Sequence, residues 1–239
     1  MSVSVLSERR VLITGASGGL GRELARAFAP HVGALLLTGR RLGALEALAA
    51  EIRTGPRKLL VQAADLRREA DLSALTEAGR SRLGGVDILI NSAAVFPVHD
   101  LAESSLTEFE ACFEVNVRAP FALCQAFAPE MAARRWGRIV NIGSSSAYSG
   151  FKGTSVYCAS KHALLGLSRA LHDELRPYNV RVLCVSPGSI KTSMGKLVPN
   201  QAFETFLDPV EVASFILDLT CMDGPMIAEE VRLNRMVIR

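Results

Sequence analysis

Short apolar runs alternate with longer segments of helical spacing along this chain, and no other feature constrains its fold as strongly. The runs are rich in Val, Ile and Leu without strict polar alternation, which is typical of strands buried on both faces. Repetition of strand, helix and strand implies right-handed crossovers and a parallel sheet with helices on both faces. The predicted strands span residues 10–14, 34–38, 58–62, 86–91, 138–142 and 180–185.

The segments between these runs carry apolar residues at helical spacing. A length of 239 residues suits one large domain. The predicted fold class is therefore α/β, a doubly wound parallel sheet in a single domain over residues 1–239. Residues 189–207 are poor in regular pattern, so they form either a mobile lid over a substrate or a surface connection. The predicted helices are residues 20–28, 42–52, 106–134 and 153–176, with Pro30 and Pro177 near helix ends.

The distribution of charge argues against two classes of macromolecular partner. The 27 Lys and Arg residues are scattered among 24 Asp and Glu residues, so the net charge of +3 gives no basic footprint for nucleic acid or an anionic membrane. No segment reaches the length of a membrane span, and residues 1–10 lack the apolar core of a signal peptide. We therefore expect a cytoplasmic protein with neither a nucleic-acid nor a membrane partner.

The cysteines and histidines indicate neither a disulfide framework nor a metal site. Five cysteines are an odd number and none forms a C-x-x-C pair, so reduced thiols are expected. The four histidines show no metal-ligand spacing among themselves or with cysteine, and we predict no bound metal. These residues are Cys112, Cys124, Cys158, Cys184, Cys221, His31, His99, His162 and His172.

A glycine-rich turn, TGASGGLG at residues 14–21, follows the first predicted strand and opens the first helix. Glycines let the backbone approach a ligand closely, and a helix N-terminus presents free N–H groups to a phosphate. Many strand–helix turns carry glycine for conformational reasons alone, but this position in a β-α-β pattern favours a Rossmann-type dinucleotide site. The predicted contacts are Gly15, Ser17, Gly19, Leu20 and Gly21.

The end of the second predicted strand indicates which dinucleotide binds. An acidic residue there would accept hydrogen bonds from the adenosine ribose of NAD, whereas this chain has Arg40 and Arg41. An arginine at this place pairs with the extra phosphate of NADP. We therefore predict NADP(H) as the cofactor, with Arg40 as the main phosphate contact and Ser17 as a second. The alternative is a pair of exposed arginines at a helix start.

The same turn also fits G-x-S-x-G, the nucleophile elbow of α/β-hydrolases, through Gly15, Ser17 and Gly19. Ser17 would then be a nucleophile that needs a later acid and a histidine. Such a fold needs several strands before the elbow, yet only one predicted strand precedes Ser17. A serine hydrolase is therefore the minor alternative.

A tyrosine and a lysine lie four residues apart in the predicted helix 153–176. Tyr157 and Lys161 therefore share a helix face. A tyrosine hydroxyl has a pKa of about 10, and a neighbouring ammonium would bring it toward the working range of a general acid or base. The pairing is common by chance, but the preceding strand ends in a serine cluster, where the Ser144 hydroxyl would hold a substrate carbonyl oxygen beside Tyr157.

Taken together, these ordered motifs resemble the short-chain dehydrogenases/reductases, and the resemblance covers residues 10–194. The opening turn is similar to the family's TGxxxGxG motif. The resemblance implies a catalytic tetrad of Asn116, Ser144, Tyr157 and Lys161. It also implies cofactor contacts from Asp65 and Leu66 at the adenine, Asn91 and Ala93 after the fourth strand, Pro187 and Gly188 at the nicotinamide, Thr192 at its carboxamide, and Tyr157 and Lys161.

In the roles that the resemblance implies, Ser144 positions the substrate oxygen and Tyr157 transfers the proton. Lys161 lowers the tyrosine pKa and binds the nicotinamide ribose, while Asn116 supports a water that leads to solvent. The expected activity is NADP(H)-dependent hydride transfer between nicotinamide and a carbonyl or alcohol carbon, by a reductase of a ketone, aldehyde or 3-oxoacyl-type substrate. A non-catalytic dinucleotide-binding sensor is the alternative from another class.

Two segments depart from the family pattern. Residues 91–94 read N-S-A-A where the family usually has N-N-A-G, so Ser92 replaces an asparagine and Ala94 adds a methyl group near the cofactor. Residues 226–239 lack the usual family ending, although part of this tail alternates like a last strand. We expect a homo-oligomer, either a dimer through the long helices 106–134 and 153–176 or a tetramer.

The substrate pocket should be bordered by residues that follow the strand ends and by the irregular loop. Their mostly apolar character indicates a hydrophobic or aromatic carbonyl compound as the small-molecule partner. The predicted substrate contacts are Phe96, Ser144, Tyr148, Tyr157 and Met194, with Ser189 and Leu197 as further candidates.

Overall fold

A parallel β-sheet forms the centre of the protein in a computed structural model that describes residues 3–198 and 201–236. The strands are β1 (Arg10–Thr14), β2 (Ala34–Gly39), β3 (Lys58–Ala63), β4 (Ile88–Asn91), β5 (Gly137–Ile142), β6 (Val180–Pro187) and β7 (Glu230–Leu233). Within the described residues they pair in the order β3-β2-β1-β4-β5-β6-β7, and every pair is parallel. The predicted doubly wound α/β fold is confirmed.

The order of the strands reverses at the neighbours β1 and β4. Val11 pairs with Ile88, and Thr14 pairs with Asn91 at the carboxyl end of both strands. Because the connections after β1 and β4 leave for opposite faces of the sheet, they leave a crevice at this edge. The glycine-rich turn after β1 therefore lies at the position where ligands of such sheets bind.

Helices cover both faces of the sheet in the part of the chain that the structure describes. The helices are α1 (Gly19–Phe28), α2 (Leu42–Ile52), α3 (Glu69–Glu77), α4 (Leu106–Phe113), α5 (Ala119–Ala133), α6 (Ser155–Leu175) and α7 (Pro209–Thr220). One face is covered by α1, α2 and α7, which contribute Leu24, Leu45 and Ile216 to one buried cluster. The opposite face is covered by α3, α5 and the end of α6, where Leu75 and Phe127 are fully buried.

The segment predicted as one helix over residues 106–134 is divided in the structure. Helix α4 begins after Ser105, whose side chain accepts a hydrogen bond from the Glu108 amide, and α5 continues to Ala133. Between them Glu114–Arg118 adopts the wider π-helical geometry. Such π turns inside helices are frequent at functional sites, and this one contains Asn116.

The C-terminal tail forms the outermost strand of the sheet. Residues Glu230–Leu233 pair in parallel with β6, with Val231 opposite Val185, so the predicted last strand is confirmed over this stretch. Among the described residues, no helix has both the length and the apolar character needed to cross a membrane.

Candidate active site

A cleft of about 1010 Å³ lies at the carboxyl edge of the sheet and begins at the glycine-rich turn. Gly15 has φ +69°, and a Cβ at this position would lie 2.7 Å from the Cα atom of Ala93. A Cβ at Gly21 would collide with the Gly15 carbonyl oxygen. Only glycine therefore allows the turn to pack this closely, and the N-terminus of α1 is left facing the cleft. The turn residues that line the cleft are Gly15, Ser17, Gly18, Gly19, Leu20 and Gly21.

The segment after β4 is held against the turn by the Thr14 hydroxyl. Its oxygen accepts hydrogen bonds of 3.1 Å from the backbone amides of both Ser92 and Ala93. Ser92, Ala93 and Ala94 line the cleft, so the two residues that differ from N-N-A-G, Ser92 and Ala94, lie at its wall. Asn91 lies beneath them, buried, and its amide nitrogen donates to Asn141 Oδ1 at 2.8 Å. Asn91 therefore supports the wall without lining it.

Arginines surround the end of the cleft next to β2 and β3. Arg40 and Arg41 are exposed and line the cleft, and Arg41 donates a 3.1 Å hydrogen bond to the Ser17 carbonyl oxygen. Asp65 and Leu66 line the same end, as expected from their position after β3. Arg67 also lies there, and it forms an ion pair with Asp65. Its hydrogen bonds hold the pKa of the Asp65 carboxyl at about 2.

The tyrosine, serine and lysine meet at the centre of the cleft. Ser144 follows β5, and its hydroxyl oxygen accepts from the Ser146 amide at 3.1 Å, which fixes the short helical turn Ser145–Ala147. Tyr157 and Lys161 project from the first turns of α6, and the Lys161 Nζ atom lies 5.6 Å from the centre of the Tyr157 ring. All three line the same cleft as the glycine-rich turn.

Burial controls the ionisation of this group. It raises the pKa of Tyr157 to about 12, although a hydrogen bond with the Ser144 side chain acts in the opposite direction. It lowers the pKa of Lys161 from 10.5 to about 8. The Lys161 ammonium donates to the Ile142 carbonyl oxygen at 2.7 Å. Desolvation therefore outweighs the lowering of the tyrosine pKa that the resemblance implies for Lys161.

Asn116 lies next to this group but does not line the cleft. Its Oδ1 atom accepts from the Val95 amide at 2.9 Å, and its Nδ2 atom donates to the Val95 carbonyl oxygen at 3.0 Å. The same nitrogen donates to Ser160 Oγ at 3.0 Å, and that hydroxyl donates to the Tyr157 carbonyl oxygen. Asn116 thus joins the β4 loop to helix α6 through a fully buried side chain.

The substrate end of the cleft is largely apolar. Phe96 meets the Tyr157 ring edge-on with 4.6 Å between ring centres, and Met194 and Ser189 also line the cleft. Several lining residues on α4, in the π-helical segment Glu114–Arg118 and before α6 were not predicted, because no sequence motif marks them. These residues are Glu108, Ala111, Cys112, Val115, Phe151, Lys152 and Thr154.

Two predicted substrate residues lie away from the cleft. Tyr148 ends the turn after Ser144, but its hydroxyl donates to Glu230 Oε2 at 3.2 Å on β7 and its ring lies beneath the Arg232 guanidinium. The prediction of Tyr148 as a lining residue is therefore corrected, because the last strand engages this side chain. Leu197 is 56% exposed and also does not line the cleft.

The end of β6 and the loop after it border the cleft. Pro187, Gly188 and Thr192 all line it, and the Thr192 methyl group packs so closely on Gly19 that a Cβ there would collide with it. Hydrogen bonds of 2.9 Å join the Lys191 amide to the Leu207 carbonyl oxygen and the Leu207 amide to the Ser189 carbonyl oxygen. The segment predicted as a lid or connection thus borders the site, and residues 199 and 200 lie outside the described part of it.

The serine hydrolase, the minor alternative, needs a histidine base beside Ser17, and the cleft does not provide one. None of the four histidines lines the cleft. His99 pairs with Glu108, His162 with the Cys158 carbonyl oxygen and His172 with Glu229. Within the described residues no group of three or more His, Cys, Asp or Glu side chains is arranged to hold a metal ion. All five cysteines are buried with free thiols.

Comparisons with known proteins show the family of the chain. A family model described as short chain dehydrogenase matches residues 9–202. Nodulation protein G of Rhizobium sp. (strain N33) is 38% identical over 189 residues, covering 79% of this chain and 76% of that protein. A ketoacyl reductase of Nostoc sp. is 33% identical over 188 residues, covering 79% of this chain and 66% of that protein.

Solved structures are similar over nearly the whole chain. A metagenomic short-chain oxidoreductase in complex with NADP has a TM-score of 0.86 at 29% identity and covers 99% of this chain and 100% of its own. An alcohol dehydrogenase from the archaeon Thermococcus sibiricus, complexed with 5-hydroxy-NADP, has a TM-score of 0.88 at 26% identity, covering 98% of this chain and 99% of its own.

Proposed function

The chain belongs to the short-chain dehydrogenase family, and from this premise we propose that it is an NADP(H)-dependent oxidoreductase that reduces a carbonyl compound. The observation that carries the proposal is the grouping of Ser144, Tyr157 and Lys161 in the same cleft as the glycine-rich turn. A sensor that only binds a dinucleotide would not need a buried phenol and ammonium beside the ligand. The proposed reaction transfers a hydride between the nicotinamide and a carbonyl or alcohol carbon.

The cleft has the features that a dinucleotide needs. Its volume of about 1010 Å³ is at the upper end for small-molecule sites. The glycine at position 15 lets the turn pack against Ala93, where a Cβ would collide with the backbone. The N–H groups at the start of α1 would face the pyrophosphate. Asp65, Leu66 and Ala93 would border the adenosine half. Pro187, Gly188 and Thr192 would border the nicotinamide half.

Each catalytic side chain then has a defined task. When bound, the nicotinamide supplies the hydride. Ser144 donates a hydrogen bond to the substrate carbonyl oxygen and holds it beside Tyr157. Tyr157, which burial keeps protonated at neutral pH, donates its proton to that oxygen. Lys161 holds the nicotinamide ribose, and Asn116 fixes the β4 loop against α6 at the Tyr157 backbone.

NADP rather than NAD is proposed because of the charge at the adenosine end. Arg40 is exposed there and forms no hydrogen bond or ion pair with any described residue. A guanidinium in this position is suited to bind a phosphate in bidentate fashion, and the Ser17 hydroxyl lies at the same end of the turn. The two structural relatives with NADP or 5-hydroxy-NADP bound support this choice.

The proposed substrates are ketones, aldehydes and 3-oxoacyl compounds with an apolar body. Phe96, Val115 and Met194 give the substrate end of the cleft an apolar surface close to Tyr157. The ketoacyl reductase of Nostoc sp. among the relatives supports the 3-oxoacyl class. The five free thiols support a reducing compartment, so we place the activity in the cytoplasm.

The Tyr157→Phe variant tests this activity. A panel of carbonyl compounds with NADPH should reveal turnover in the wild type. The variant should lose at least about a hundredfold in kcat because the proton donor is gone. NADPH binding, measured by fluorescence, should change by less than about threefold. Turnover that survives in the variant, or a wild type that binds NADPH without reducing any compound while a partner protein responds, would favour a sensor.

We further propose that the protein is a homo-oligomer, with a dimer through α4, α5 and α6 as its basic unit. Leu106 is 80% exposed and Phe121 is 47% exposed on these helices, which supports an apolar contact there. Sedimentation should give a mass of at least twice 25.7 kDa. Phe121→Glu should reduce that mass, whereas Leu42→Glu on the exposed start of α2 should not. A monomeric wild type would contradict the proposal.

A further inference from the structure

The carboxylate at the adenosine end of the cleft is already bound by an arginine of the same loop. Arg67 Nε lies 3.0 Å from Asp65 Oδ1 and 3.1 Å from Oδ2, and Arg67 Nη2 lies 2.6 Å from Oδ2. The Arg67 backbone amide donates a further 3.1 Å hydrogen bond to Oδ1. Both oxygens of Asp65 are therefore engaged by one residue.

The loop that carries this pair is fixed on both sides. The Asp65 amide donates to Asp71 Oδ2 at 2.8 Å at the start of α3. Arg118, at the end of the π-helical segment, donates to the Arg67 carbonyl oxygen. The Asp65 side chain is 23% exposed and the Arg67 side chain is 45% exposed, so the pair lies at the cleft wall within reach of a ligand.

The pair also controls the charge that a ligand meets. The charged side chains lining this end are Arg40, Arg41, Asp65 and Arg67. Because Arg67 compensates Asp65, Arg40 and Arg41 are the two cations of this group not paired with a carboxylate among the described residues. Arg40 is also close enough to Asp65 to help lower the pKa of that carboxyl. An uncompensated charge on Asp65 would therefore repel a 2′-phosphate bound at Arg40.

We propose that Arg67 is a specificity-determining residue, which selects the phosphorylated dinucleotide by neutralising Asp65. This inference rests on the proposed function and extends it to a residue that the sequence motifs do not mark. Without the guanidinium, Asp65 would present a bare carboxylate near the 2′-phosphate of NADPH and repel it. The same carboxylate would not repel NADH, which lacks that phosphate, and would be free to accept hydrogen bonds from its adenosine.

A double-mutant cycle isolates this effect. The dissociation constants of NADPH and NADH are measured by fluorescence for wild type, Arg67→Ala, Asp65→Asn and the double variant. Arg68→Ala is the matched control, because Arg68 is the next residue, is 71% exposed and does not line the cleft. Circular dichroism and thermal unfolding confirm that each variant is folded.

The expected results separate neutralisation from direct contact. Arg67→Ala should weaken NADPH binding about tenfold and change NADH binding by less than about twofold. The double variant should recover the ratio of NADPH to NADH affinity to within about threefold of wild type, because no carboxylate remains to repel the phosphate. Asp65→Asn alone should leave that ratio equal or higher, because the adenosine contact that it alters is shared by both nucleotides, and Arg68→Ala should leave both affinities unchanged.

Other outcomes overturn the inference in distinguishable ways. If Arg67→Ala weakens both nucleotides equally, the residue has no role in selection. If the double variant does not recover the ratio of NADPH to NADH affinity, Arg67 acts by direct contact and not by neutralising Asp65. If the wild type binds neither nucleotide, the proposed function itself fails. If the wild type prefers NADPH and Arg67→Ala keeps that preference, only this inference fails.

Discussion

Lys161 shows how much the environment of a residue adds to its position in a motif. The four-residue spacing to Tyr157 predicts a shared helix face, and the structure agrees, because both side chains line the cleft from α6. The spacing does not indicate that the Lys161 Nζ atom donates to the Ile142 carbonyl oxygen, or that burial lowers its pKa to about 8. Desolvation depends on the whole fold, so the sequence motif cannot reveal it.

This buried ammonium should make stability depend on pH in a defined direction. The pKa of Lys161 is about 8 in the folded protein and about 10.5 when exposed, so the unfolded chain holds more protons between these values. Its contribution to the free energy of unfolding should therefore rise as the pH increases from about 8 to about 10.5. Lys161→Met should lose that rise and should gain stability relative to wild type at pH 7.

Urea unfolding of both proteins at several pH values, without added nucleotide, measures this contribution as the difference between two curves. Taking the difference removes the contribution of the buried Cys124, whose raised pKa acts in the opposite direction above pH 9. Parallel curves for wild type and variant would show that burial does not shift the Lys161 pKa.

The glycine-rich turn is the element whose geometry the sequence predicts best. Gly15 requires its positive φ and its close contact with Ala93, and both follow from the need for backbone to approach backbone. Gly15→Ala should cost about 1–3 kcal/mol of unfolding free energy and weaken NADPH binding more than tenfold. Gly43→Ala is the control, since a Cβ there meets nothing within 4 Å on α2.

Chemical denaturation and nucleotide titration measure both effects. The control should keep its affinity for NADPH and should keep or raise its stability by up to about 1 kcal/mol. Equal behaviour of the two variants would mean that the turn tolerates a side chain at Gly15, and the phosphate-binding role of the turn would then be wrong.

Other elements show which parts of the fold the spacing of apolar residues does not predict. The six strands predicted from apolar runs are present, because runs buried on both faces carry a strong composition signal. The short helices α3 and α7 lie outside the predicted segments, and the interruption at Glu114–Arg118 is also missed. The amide of Asn116, which lies in this interruption, bonds to Val95 and Ser160, and such tertiary contacts leave no periodic trace.

The cleft as a whole is assembled from residues far apart in the chain. Its walls come from the turn after β1, the loops after β2 to β6 and the start of α6, so the parallel order of the strands brings them to one edge. The motifs predict many of these residues, because most of the residues that carry the motifs follow a strand end. They do not predict the direction of each side chain, which is why Tyr148 turns toward Glu230 and away from the cleft.

The charge at one end of this cleft gives the whole account its most direct test. NADPH and NADH are titrated by fluorescence into wild type and Arg40→Ala. Wild type should bind NADPH at least about tenfold more tightly than NADH, and the variant should lose this preference while it still binds NADH. If wild type binds neither nucleotide, or if the preference survives in Arg40→Ala, the assignment of an NADP-dependent oxidoreductase with Arg40 at the phosphate is contradicted.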